Sequence, residues 1–394
     1  MKHRNPFGMI EHAAGWNSRN RQQVRRWLPA LVAGVIAWIA FVALGSTPVI
    51  RASGMAAAVV GMAMALRPMG PALALVGGLA LAFSPSFWIQ TGGAQSLDAG
   101  EVAATFLAAS AAAAILMVLT RRPVMALATA FSVFAIIFLT AVGTPRSLRV
   151  TTVLAVWLIY LITDGALASN PRADEGQSTR IGPQHTFGPL LLLAVGIAND
   201  PLFMLFAPPV ALNLFLTRVR LPVWTWGAFA TMTIVGLRGI LLTYVTPEWW
   251  GFPADQTPQI ITHIPFLIGE AWREPQRWLK IIELIVGQFT AFGLVLGILG
   301  LARLSRWHPP VGVVTMTAYG CYLGFGLIYF GFDAPVLLLP LLMIQVYWMT
   351  YAMYTFTVWL RRSILASGTA ANVGAAAAFA LLPLFMLLRA VGAI

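Results

Sequence analysis

One cysteine, two lysines and thirteen acidic residues in 394 leave little material for several kinds of chemistry. The lone Cys321 lies in an apolar run, which excludes a disulfide framework or a cysteine-based metal site within one chain. The histidines, His3, His12, His185, His263 and His308, are too scattered to mark a metal site or a Ser-His-Asp arrangement. There is no P-loop, no GxGxxG in a strand context and no HExxH motif. No metal ligands and no cofactor are indicated. Charged residues make up 10% of the chain, against about 25% in soluble globular proteins. No large soluble domain fits anywhere.

What fills the chain instead is hydrophobic: 59% of residues, in runs of about 20 that recur along its length. The sequence predicts an all-α polytopic membrane protein with about 13 transmembrane helices. They fall near 28–45, 53–67, 70–86, 101–120, 123–142, 149–165, 187–199, 201–217, 222–244, 281–302, 310–331, 335–358 and 368–391. The formal charge of +12 is carried by small arginine clusters at span ends. That is the pattern of topology determinants, not of nucleic-acid binding. One alternation puts Arg67, Arg121-Arg122, Arg172, Arg218, Arg303, Arg306 and Arg361-Arg362 on the inner side. The basic stretch 1–27 then reads as a cytoplasmic tail, not as a cleaved leader. Residues 28–165 form an N-terminal membrane half, and 166–186 a cytoplasmic loop rich in turn formers. Residues 187–394 form a C-terminal half with an outer loop at 245–280.

That outer loop is the longest polar interruption in the hydrophobic region, with four tryptophans and five prolines between Thr246 and Lys280. It brings Trp249, Trp250, Asp255 and His263 to the outer face. Its second half, Phe266 to Leu284, predicts an amphipathic helix lying in the interface. The tryptophans are interfacial anchors on one reading and sugar-stacking platforms on the other. Arg238 stands inside a span, in TIVGLRGILLTYV. It would either bind a phosphate or snorkel to the outer interface. Asp98 and Glu101, three residues apart, would share a helix face or cap the helix that follows. The short segments flanking Asp200 suggest either a cavity beside that acid or a tight hairpin with Asp200-Pro201 as a helix start.

Four blocks together resemble the C-type (GT-C) membrane glycosyltransferases, in their bacterial protein O-mannosyltransferase-like branch. They are LALAFSPSFWIQTGGAQSL (79–97), AVGIANDPLFMLFAPPVAL (194–212), WWGFPADQTPQIITHIPF (249–266) and LIYFGFDAPVLLLPLLMIQVYW (327–348). The resemblance implies a multi-pass protein of the bacterial inner membrane with a cytoplasmic N-terminus. It implies transfer of a sugar from a polyprenyl-phosphate donor to an extracytoplasmic acceptor. On that expectation Arg238 holds the lipid phosphate, and Trp88, Gln95, Trp249, Trp250, His263, Tyr329 and Asp333 line the substrate site. The sequence also departs from the pattern. The first outer loop is only GSTPVIRAS and has no acid, Gln95 stands where the family has Glu, and Asp200 where it has His. A base is still needed, so Asp200, Asp98 and Glu101 are its candidates. The alternatives are a non-catalytic membrane subunit or scaffold of the same fold, and a transporter of a lipid-linked substrate.

Overall fold

A computed structural model describes residues 27–47, 49–91, 145–169, 187–218, 267–331, 334–363 and 368–393, with parts of 223–234. The described residues are almost entirely helical and form no sheet; the exception is a single backbone bridge between Leu267 and Tyr329. The helices are α1 (Trp27–Ala43), α2 (Val49–Leu66), α3 (Pro71–Ala82), α4 (Pro85–Thr91), α5 (Pro145–Ala168) and α6 (Phe187–Asn199). They continue with α7 (Ala207–Thr217), α8 (Pro275–Trp307), α9 (Pro309–Ile328), α10 (Ala334–Leu337), α11 (Leu339–Ser363) and α12 (Gly368–Ala390). Five stretches, in α2, α5, α8, α9 and α12, are long and apolar enough to cross a membrane. The chain is an all-α membrane protein. The spans expected near 101–120 and 123–142 lie outside the described residues.

Several boundaries depend on local chemistry. Proline opens α3, α4, α5, α8 and α9, where its fixed φ suits a first turn and its missing N–H costs nothing. The span expected over 70–86 is broken: α3 stops at Ala82, and Phe83-Ser84 turns the chain into the short α4. The Ser84 hydroxyl donates to the Leu81 carbonyl at 2.8 Å, closing that turn.

The centre of the bundle is α11, which packs against α2, α3, α5, α8, α9 and α12. It is not among the five stretches long and apolar enough to cross a membrane, because it is rich in Tyr, Trp and Thr. Those side chains find partners inside the protein: the Trp348 indole donates to Thr315 Oγ1 at 3.1 Å. Its closest neighbour is α8, and glycines set that approach. A Cβ on Gly300 would run into the Trp348 carbonyl, and one on Gly297 into the Gln345 amide. The Gln345 Nε2 group donates to the Gly293 carbonyl at 3.1 Å. Lipid is as apolar as leucine, so burying apolar surface does little to join helices there. Close backbone contact and interhelical hydrogen bonds do it instead.

The amphipathic stretch expected between Phe266 and Leu284 is not a separate helix. A single 3-10 turn at Ala271–Arg273 leads to Pro275, and from there α8 runs through to Trp307. The reason is Arg277, which is buried (7% exposed). Its Nε donates to the Leu327 carbonyl at 3.1 Å, and the guanidinium also reaches the Gly326 and Tyr329 carbonyls. The Gly326 and Leu327 carbonyls are in the last turn of α9 and Tyr329 caps it, so the guanidinium sits at the negative end of that helix. The Phe330 ring covers the guanidinium, 3.6 Å away. Trp272 and Trp278 remain exposed, as anchors would. Within α8 the helix bends at Thr290 (φ 62°, ψ 173°).

Candidate functional site

Asp200 ends α6 and caps the 3-10 turn that follows. Its Oδ1 accepts from the Leu202 N–H at 3.0 Å, with Pro201 at the first turn position. The other carboxylate oxygen faces Thr151, whose hydroxyl lies 3.5 Å away and accepts from Asn199 Nδ2 at 2.8 Å. Asp200 itself is buried. Beside it lies a void of about 10 Å³ bounded by Thr151, Thr152, Phe203, Tyr322, Val336 and Pro340. That is room for a single water and no more. Of the two expectations for this stretch, the hairpin with Asp200-Pro201 as a helix start is what the geometry shows. Among the described residues, the space beside Asp200 is of water size and not of sugar size.

A large cleft does open elsewhere at this end of the bundle. It holds about 630 Å³, within the range of small-molecule sites. Trp88 and Ile89 of α4 form one wall. Lys280, Glu283, Gly287 and Gln288 of α8 form a second, and Arg389 of α12 a third. Lys280, Leu284 and Gln288 are four apart, as are Glu283 and Gly287, so two adjacent rows of one helix face line the cleft. Trp88 is seated on aromatic neighbours, with ring centroids 5.6 Å from Phe41 and 6.1 Å from Phe83. Gln288 ties α8 to α4 by accepting from the Ser86 N–H at 2.8 Å. Arg389 donates to the Gly287 carbonyl at 3.3 Å, in the turn preceding the Thr290 bend. The cleft therefore combines one carboxylate, two cations, an amide and an indole on three helices.

Of the residues expected at a site, Trp88 lies in this cleft and Asp200 lies in the separate, water-sized void. Tyr329 lies in neither. It is buried, its ring stacks on Phe325 at a centroid distance of 4.9 Å, and its carbonyl accepts from Arg277. Its position in the chain marks the join between α9 and the Leu267 bridge, a structural role. Asp98, Glu101, Gln95, Arg238, Trp249, Trp250, His263 and Asp333 lie outside the described residues. Four cleft residues, Lys280, Glu283, Gln288 and Arg389, were not among the expected site residues. The first three were readable as one helix face. Nothing local in the sequence points to Arg389, which comes from a helix more than a hundred residues later. Among the described residues, no group of three or more His, Cys, Asp or Glu is placed to hold a metal ion. Compared with known proteins, the chain matches no family model, no curated protein and no solved structure.

Proposed function

We propose that the chain is a membrane glycosyltransferase that takes a sugar from a polyprenyl-phosphate donor, and that the cleft walled by Trp88, Lys280, Glu283, Gln288 and Arg389 is where it acts. One observation carries the proposal: a carboxylate, two cations and an indole converge on a single cavity of substrate size. Lys280 and Arg389 suit the lipid phosphate, since charge-assisted bonds to phosphate are the strong ones. Trp88 offers a flat face for the sugar. Glu283 takes the place of the base for which the sequence had offered Asp200, Asp98 and Glu101. In the reaction the acceptor hydroxyl oxygen attacks the anomeric carbon and its proton passes to Glu283. The bond from that carbon to the phosphate oxygen breaks, and the phosphate leaves with the electron pair, held by the two cations.

The competing reading is a non-catalytic subunit or scaffold of the same ancestry. It is favoured by Asp200, whose Oδ1 serves as a helix cap beside a void that admits only water. A transfer assay with polyprenyl-phosphate sugars separates the two. Glu283→Gln is expected to lower kcat by about 10²–10⁴-fold, the usual worth of a general base. Lys280→Ala with Arg389→Ala should chiefly raise KM for the donor. Asp200→Asn should leave turnover per folded molecule unchanged. Full activity in Glu283→Gln overturns the role of that residue. No transfer by the wild type from any donor, with donor binding retained, establishes the non-catalytic reading. Flux of the donor across sealed vesicles without transfer establishes a transporter.

A further inference from the structure

The opposite end of the bundle carries a second and unlike cavity. A groove of about 600 Å³ runs between α8 and α11, with Ala378 of α12 contributing to its wall. Along α8 that wall consists of Phe292, Leu296, Leu299, Arg303 and Trp307. The steps of four and three residues keep to one helix face. At 1.5 Å per residue the face is about 22 Å long, against about 15 Å for the hydrocarbon of one leaflet. The groove is apolar for most of this length and changes character only near one end. There Arg303 stands on the α8 side and Arg362 on the α11 side, with Trp307 and Trp359 beside them. Among the described residues, no carboxylate lines the groove.

Arginines at helix C-termini have an ordinary explanation in the helix dipole. Arg306 and Arg361 occupy the last turns of the same two helices, yet neither lines the groove. The selection of Arg303 and Arg362 is what points to a ligand. We propose that the groove binds one anionic glycerophospholipid from the surrounding bilayer. Its acyl chains lie along Phe292, Leu296 and Leu299, and its phosphate sits between Arg303 and Arg362. A guanidinium pairs with phosphate oxygens two at a time, and tryptophan settles at headgroup depth. Charge decides the occupant. The chain's own tail carries Lys2, Arg4, Arg19, Arg21, Arg25 and Arg26 against one acid, Glu11, so it repels these arginines. A second copy would bring like charges together. A zwitterionic lipid neutralises its own phosphate.

The test is native mass spectrometry of the full chain in detergent, titrated with phosphatidylglycerol or phosphatidylcholine. One phosphatidylglycerol is expected to stay bound, at least about tenfold more tightly than phosphatidylcholine. Arg303→Gln with Arg362→Gln should weaken it about thirtyfold, from the usual worth of two basic residues at an anionic membrane surface. Arg306→Gln with Arg361→Gln removes the same charge from the same helix ends and should change retention less than twofold. An equal loss in both double variants overturns the proposal, because only bulk attraction would then be at work. Equal retention of the two lipids overturns it as well. So does a doubled protein mass without lipid, which would assign the groove to a second copy.

Discussion

The two halves of α8, on either side of Thr290, are attached to the bundle by different means. The half from Pro275 to Phe289 buries Arg277 and Gln288 along with Ile281, Ile285 and Phe289. Its contacts are directional: a guanidinium on three carbonyls and an amide on a backbone N–H. The half beyond Thr290 buries Gly293, Gly297 and Gly300 with Leu296 and Leu304. Its contacts are close approaches to α11, with the Gln345 amide donating to the Gly293 carbonyl. Each mode suits the cavity beside it. Hydrogen bonds with fixed geometry hold polar walls at set positions, which a cleft of mixed charge requires. Tight glycine packing needs no polar side chain on α8, and it leaves the remaining face of the helix free to be a wholly apolar groove wall up to Arg303.

The largest expected effect breaks the glycine half. Gly300→Ala places a methyl group against the Trp348 carbonyl, which belongs to helix backbone and cannot turn aside. The helices must separate, at a cost of about 3 kcal/mol or more, read as a lower midpoint of thermal unfolding in detergent or as loss of folded protein. Gly320→Ala in α9 is the control, since no atom lies within 4 Å of its new methyl. It should be neutral or gain up to about 1 kcal/mol from helix propensity. Equal behaviour of the two variants would show that α8 and α11 are farther apart than described.

The next effect breaks the polar half. Arg277→Met keeps a long apolar stem and removes every donor to the Gly326, Leu327 and Tyr329 carbonyls. About 2–3 kcal/mol should be lost, the usual range for hydrogen bonds to a charged group. Arg277→Lys should restore only part of it, because a single ammonium cannot span carbonyls that a planar fork reaches together. If Arg277→Met unfolds at the wild-type temperature, Arg277 is a surface anchor after all, as the amphipathic pattern had suggested.

That misreading shows where the sequence stops informing. The ends of α1, α2, α5, α6, α9 and α12 lie within a few residues of the apolar runs, because hydrophobic length and proline set them together. The Asp200-Pro201 cap was also legible, because a cap is a matter of neighbouring residues. Arg277 was not, because an arginine among Glu270, Glu274 and Lys280 has the same local pattern whether it faces water or the carbonyls of a helix fifty residues on. The cleft was half legible for the same reason. Lys280, Glu283 and Gln288 share a face that spacing predicts, but Arg389 joins them only through the packing of α12. The centrality of α11 was hidden by its Tyr, Trp and Thr content, which lowers hydropathy while serving internal contacts.

The smallest expected effect concerns the junction itself. Thr290 has φ 62° and ψ 173°, a conformation open to glycine and costly for a β-branched residue. Neither glycine nor proline occupies the bend, so nothing local in the sequence marks it. The strain is tolerated because both flanking halves are fixed independently, one by Arg277 and Gln288, the other by the glycine seam. Thr290→Gly should therefore raise stability by about 1 kcal/mol, seen as a higher unfolding temperature in the same detergent. Thr290→Ala, which loses the branch and keeps Cβ, should give less. Because the flanking contacts set the bend and not the threonine, affinity of the cleft for the proposed polyprenyl-phosphate donor should be unchanged in both variants. A stability loss in Thr290→Gly would mean that the threonine side chain holds the two halves apart. The difference between them would then originate at the bend and not in their separate contacts.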